Sequence, residues 1–359
     1  MCLNDIEYFL LFTIMAVLFL LGLRKRDGAI IGKYTGLDLP MSTALKGIAC
    51  VLILMGHHAS RMIDMGESTT ITMLVYRITA NVALMLFMYF SGYGLSVKKQ
   101  SRGGYLLAWI RRLKKVYLPL LFTCVIAMFF YALLPVKFTV EESLMLSVPK
   151  DIWYIHHLSQ DFWGILVPHL FGWKDWYVFC IMIFYTLFYL SLSITRKQPE
   201  NQTWVLWIMM IVYFVFAYFF FGKPEAHWYR YCWAFFIGHI HAKMVKMGKT
   251  NYWDLTMLAV LLATILLESM FMILSYIIAV IIIAICSLLS KRFTMNSKVM
   301  AFMGGISYFF YLSHGRISGV LMPYSGCYSV FLWVVSTIAV SYLLLRFYSL
   351  FEKSIPPRS

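Results

Sequence analysis

MSTALKGIACVLILMGHHAS, residues 41–60, is an apolar stretch long enough to span a bilayer as a helix, with Lys46 near one end and His57 near the other. A helix turns about 100° per residue, so an eleven-residue step ends within about 20° of three full turns. Both side chains therefore project from one face, separated by a rise of about 16 Å, roughly half the hydrocarbon thickness of a membrane. A cation near one surface is aligned with an imidazole toward the other.

The rest of the chain supports a membrane reading. Of 359 residues, 61% are hydrophobic and 13% charged, and the mean hydropathy is +0.75. These values exclude an ordinary soluble domain. Apolar segments of spanning length fall at about 8–23, 43–60, 73–97, 117–135, 175–195, 204–221, 228–245, 253–268, 270–289, 299–322 and 327–350. The expected fold is an all-α polytopic transmembrane bundle of about 11 spans. Residues 1–40 form an N-terminal helix and loop, 41–350 one membrane domain and 351–359 a tail. No repeat is evident. The first helix is expected to be retained, because the apolar run ends in Leu23-Arg24-Lys25-Arg26 without a small-residue cleavage site.

Charge supplies the orientation. With eleven spans, 21 Lys and Arg residues fall on one side and 7 on the other. The positive-inside rule then places the N-terminus outside and the C-terminus in the cytoplasm of a cell-membrane protein. This asymmetry accounts for the net charge of +15, and nucleic acid is not an expected partner. The seven cysteines show no CxxC and read as apolar fillers.

Among polar residues, His57 stands out, since an ionisable group inside a membrane helix is costly and imidazole exchanges protons near neutral pH. A ring that merely lines a cavity is the plainer alternative. His58 points about 100° away and is expected to pack elsewhere. Lys46 reads either as part of the His57 face or as a snorkelling anchor. Arg111-Arg112-Leu113-Lys114-Lys115 lies in the second inner loop, ahead of Tyr117-Leu118-Pro119. It suits a phosphorylated ligand, or sets topology and touches anionic lipid. Ser91-Gly92-Tyr93-Gly94 offers close backbone approach to a ligand or to another helix. Asp64 and Asn81 are candidate partners for His57. The long outer loop, residues 136–174, is rich in aromatics and histidine. His156, His157 and His169, like His239 and His241, lack a zinc-ligand pattern, and no metal is expected.

Taken in order, Leu45-Lys46-Gly47-Ile48-Ala49 through His57, Phe90-Ser91-Gly92-Tyr93, Arg111-Arg112 before Pro119, Trp176-Tyr177, Ile306-Ser307-Tyr308 and Tyr311-Leu312-Ser313-His314 resemble the acyltransferase-3 family of integral-membrane acyltransferases. The likeness covers about 41–350, and its specificity lies in order and spacing. Lys46 stands where the family's motif has arginine, keeping the charge and losing the planar fork. The resemblance implies a ten-helix core preceded by one added helix. It also implies transfer of an acyl group, commonly acetyl, from cytoplasmic acyl-CoA to a hydroxyl of a carbohydrate or glycolipid at the outer face. In that reading Arg111, Arg112 and Lys115 meet CoA phosphates, and the pantetheine arm passes Ser91 and Lys46. His57 deprotonates the acceptor, or in a less favoured variant carries the acyl group, with His314 in support. Trp153, Trp173 and Trp176 offer faces to a sugar. The competing class is a glycan or lipid carrier that makes no bond.

Overall fold

The computed structural model describes residues 3–26, 36–98, 104–133, 175–221, 227–247, 270–325 and 329–354. They are helical almost throughout: α1 (Leu3–Gly22), α2 (Leu39–Asp64), α3 (Thr70–Val97), α4 (Tyr105–Leu133), α5 (Trp176–Ile194), α6 (Gln202–Phe221), the single turn α7 (His227–Arg230), α8 (Cys232–Met247), α9 (Met270–Arg292), α10 (Lys298–Ser325) and α11 (Val330–Ser354). Seven of these, α1, α2, α3, α5, α6, α9 and α11, are long and apolar enough to cross a membrane. The expected segment 253–268 and the whole of the long loop, residues 136–174, lie outside the described residues. Long helices are the physical solution here, because a backbone in lipid must satisfy its own hydrogen bonds.

Two expectations are corrected. A short antiparallel pair, β1 (Leu23–Lys25) with β2 (Phe293–Met295), occupies positions read as loops. The basic cluster Arg111–Lys115 lies within α4, and Pro119 lies inside that helix rather than at its start. The basic residues had signalled a loop, but Leu106, Ile110, Leu113 and Tyr117 recur between them at helical spacing, so the segment is an amphipathic turn and not a break.

The chain packs as two units, one of Met1–Lys99 with Trp233–Leu345, the other of Gln100–Cys232 with Arg346–Ser359. In the first, α2 is the centre, with 67% of its apolar window buried against 28% for α1. Asp38 caps its N-terminus, accepting from Met41 N at 2.8 Å. Gly66, at φ +78°, turns the chain into α3, whose cap is Thr69. The turn makes α2 and α3 antiparallel.

α10 runs parallel to α2 in fixed register. Cys50 Sγ donates to Ser307 O at 3.2 Å, and Arg61 Nη2 meets Ser318 Oγ at 3.5 Å, each pair 257 residues apart. Gly47 against Gly304 and His57 against His314 repeat that offset. The approach is close because both glycines lack a Cβ. One on Gly47 would sit 2.7 Å from Met303 Cβ, and one on Gly304 would strike the Thr43 carbonyl.

The remaining elements fix which helix ends share a side. At the Lys46 end, Arg26 pairs with Asp38 and donates through Nε to Phe293 O at 3.1 Å, while Thr294 Oγ1 donates to Asp38 at 2.9 Å. The end of α1 and the starts of α2 and α10 are thereby clasped together. At the His57 end, Thr69 donates to Asp5 at 2.7 Å, and Ser329 Oγ and Val330 N donate to Glu7, each at 2.8 Å. Two carboxylates of α1 thus hold the N-termini of α3 and α11, where the helix dipole favours negative charge.

In the second unit α4 lies along α5. Trp109 Nε1 donates to Thr186 Oγ1 at 3.0 Å, and Tyr117 meets Phe179 edge-on. Tyr213 OH of α6 donates to Trp228 O of α7 at 2.7 Å.

Candidate active site

The fixed register between α2 and α10 brings His57 and His314 together, their ring centroids 5.0 Å apart and tilted by 37°. They are 257 residues apart in sequence and one layer in space. The His57 ring is exposed, whereas its chain neighbours Gly56 and His58 are buried. Among the described residues, no hydrogen bond engages its nitrogens. Asp64 is exposed at the end of α2, and Asn81 donates to Arg77 O in its own helix, so neither orients the ring.

His314 is buried and held. Its Nδ1 lies 2.5 Å from Tyr311 O, and a carbonyl only accepts, so Nδ1 carries the hydrogen and Nε2 is the acceptor nitrogen of the neutral ring. Trp333 Nε1 donates to the His314 carbonyl at 2.9 Å. His58 packs elsewhere, as its direction requires. It is fully buried, with Nδ1 2.6 Å from Tyr8 OH and its ring 6.0 Å from that of Trp333. A continuous polar and aromatic path therefore links α1 to the paired histidines: Tyr8, His58, Trp333, His314. Sequence reading missed Tyr8 and Trp333, which only distant helix packing makes relevant. Tyr8→Phe removes one hydroxyl and is expected to lower turnover severalfold while leaving the half-saturating substrate concentrations unchanged. Steady-state kinetics checks this, with an unaltered rate counting against a positioning role.

Along the same face of α2, Lys46 turns against α3, its Nζ 5.8 Å from the Phe90 ring centroid. It thus lies beside the residue that precedes Ser91, which is half-buried. Gly92 belongs to helix packing, since a Cβ there would strike Phe235 O of α8, and a Cβ on Gly238 would strike Tyr89 O. Gly94 has open space. Beside this crossing the buried His239 bonds Ser96 at 2.7 Å and His241 bonds Tyr89.

In the second unit Arg111 and Lys115 are exposed on α4. Arg112 turns inward, its guanidinium 5.0 Å from the Tyr185 ring centroid, with Nε buried and without a hydrogen-bond partner among the described residues. Trp176 opens α5 within an aromatic cluster, 4.7 Å from the His227 ring and stacked 5.8 Å from Tyr231. Trp153 and Trp173 lie outside the described residues.

The family described as "Acyltransferase domain" (Acyl_transf_3) matches residues 40–346. The chain belongs to the acyltransferase-3 family. The match spans most of the chain and includes all or most of every described helix except α1. Family membership and the apolar helices together make this a membrane acyltransferase. No curated protein and no solved structure matches. The family's matched stretch contains both histidines, Lys46 and the Arg111–Arg112 pair, whereas Tyr8 lies outside it.

Proposed function

We propose that this membrane acyltransferase moves an acyl group, acetyl in the simplest case, from cytoplasmic acyl-CoA to a hydroxyl of a cell-surface or exported carbohydrate. The observation that carries the reading is the His57–His314 pair, one ring accessible and without a hydrogen bond among the described residues, the other fixed. His57 takes the proton of the acceptor hydroxyl as its oxygen attacks the thioester carbon. The C–S bond then breaks, and the departing CoA sulfur receives the proton from His57. His314 supports the reacting groups from across the helix pair. Lys46 sits about 16 Å from His57 on the same face, at the cytoplasmic end, where with Ser91 it flanks the donor arm.

Arg111, Arg112 and Lys115 are assigned to the CoA phosphates. The buried, unsatisfied Nε of Arg112 supports this, because such a group gains most from an anionic acceptor. Arg112→Ala is expected to raise the acyl-CoA concentration for half-maximal rate about tenfold or more, with the acceptor requirement unchanged. An unchanged acyl-CoA requirement removes Arg112 from the donor site. Trp176 and its aromatic neighbours are assigned to the sugar. The orientation assigned is N-terminus outside and C-terminus cytoplasmic.

The test is release of free CoA by membranes containing the protein. Release that depends on added glycan supports acyl transfer. Passage of unmodified glycan across the membrane without CoA release identifies a carrier instead.

A further inference from the structure

α1 is apolar enough to cross a membrane, and Leu3, Phe9, Leu20 and Leu21 are exposed along it. Its buried polar side chains, Asn4, Asp5 and Tyr8, instead gather at one end, the end that meets the His57 layer. A membrane anchor has no need of them, because burying polar groups costs free energy unless neighbouring helices bond them. α1 also precedes the family's matched stretch, residues 40–346. A helix outside that stretch therefore reaches the candidate site, and it does so through two consecutive residues.

Tyr8 takes one side of the histidine pair, through its 2.6 Å bond to His58, the neighbour of His57 on α2. Glu7 takes the other side, through α11. A helix start leaves backbone N–H groups without helical partners, and the Glu7 carboxylate accepts from Val330 N and from Ser329 Oγ, each at 2.8 Å. Ser329 in turn accepts from Leu332 N through Oγ at 3.4 Å and from Trp333 N through its carbonyl at 3.2 Å, so this one carboxylate fixes the first turn. Trp333 belongs to that turn. Its Nε1 donates to the His314 carbonyl at 2.9 Å, and about two turns further on Ser341 Oγ meets Ser313 Oγ at 2.9 Å. α11 thereby grips α10 at the adjacent residues Ser313 and His314, and Glu7 sets where that grip falls.

We propose that Glu7 is a positioning residue for acyl transfer, holding the start of α11 so that Trp333 fixes the His314 segment opposite His57. This inference rests on the acyl-transfer reading and adds to it an element outside the family's matched stretch. Glu7 acts through Trp333 and not on substrate, so its loss lowers turnover and leaves both half-saturating concentrations alone. Misplacing a reacting group by about 1 Å can cost on the order of 10²-fold in rate.

Membranes carrying the full chain are supplied with acetyl-CoA and the total envelope glycans of the expressing cell, and CoA release is measured per molecule of inserted protein, together with melting in detergent. Glu7→Ala should lower turnover about tenfold with the acetyl-CoA and glycan requirements unchanged. Glu7→Gln should restore most of it, because the amide oxygen accepts from Val330 N while the amide nitrogen donates to Ser329 Oγ. Trp333→Phe keeps an aromatic ring, removes the indole N–H and should lose a similar factor. The double variant decides the matter: it should be no slower than the slower single, since both changes break one line of contact. A cap that serves stability alone would lower the melting temperature of Glu7→Ala and leave turnover intact, which overturns the proposal. Losses that multiply in the double variant overturn it as well, as does a raised acetyl-CoA or glycan requirement. Should Glu7→Ala fail to insert, Ser329→Ala removes one of the two donors and is expected to show a smaller loss of the same kind; unchanged turnover there overturns the proposal. Absence of CoA release by the parent chain removes the acyl-transfer reading instead, and this inference falls with it.

Discussion

His57→Ala is expected to abolish acceptor-dependent CoA release, lowering it by a factor on the order of 10² to 10⁴, the usual contribution of a positioned general base. The protein itself should persist. The ring is accessible and, among the described residues, makes no hydrogen bond, so its removal leaves no buried polar group unsatisfied. Membrane fractionation and detergent melting should therefore match the parent while turnover is lost. His58→Ala provides the contrast, because that ring is buried against Tyr8 and its loss acts on packing. Full turnover in the His57 variant, correctly inserted, would contradict the assignment.

Gly304→Val should have the largest effect on the fold. A side chain there meets the Thr43 carbonyl and Thr43 Cγ2, and a backbone carbonyl inside a helix cannot step aside as a flexible side chain can. Overpacking typically costs about 1–3 kcal/mol. Here it also pries α2 from α10 at the crossing that sets the 257-residue register. Both the melting temperature in detergent and acyl transfer are expected to fall. Gly305→Ala, one residue on and facing open space, should leave both unchanged or slightly improved, since alanine favours helix over glycine. Equal behaviour of the two variants would show that the close crossing is not what aligns the histidines.

These two outcomes separate what each level of description contributes. Lys46 and His57 could be placed on one face from their spacing alone, and α2 extends unbroken beyond both, from Leu39 to Asp64. Helix periodicity is local, so the sequence carries it. The parallel course of α2 and α10, by contrast, is set by contacts between helices far apart in the chain. Arg111–Lys115 was misplaced because charge density and Pro119 mimic a loop followed by a helix start. In α4 the apolar residues between the charges keep the helical period, and the helix runs through.

Amino-acid order by itself determined the membrane class, the family and the face that His57 shares with Lys46, because these depend on composition and on steps within one helix. Only the tertiary structure decided that His314 is the ring beside His57, that Gly92 packs helices together and that Tyr8 reaches His58. Each of these depends on which helices touch and at what register, and two missing Cβ atoms at Gly47 and Gly304 set that contact between residues far apart in the chain.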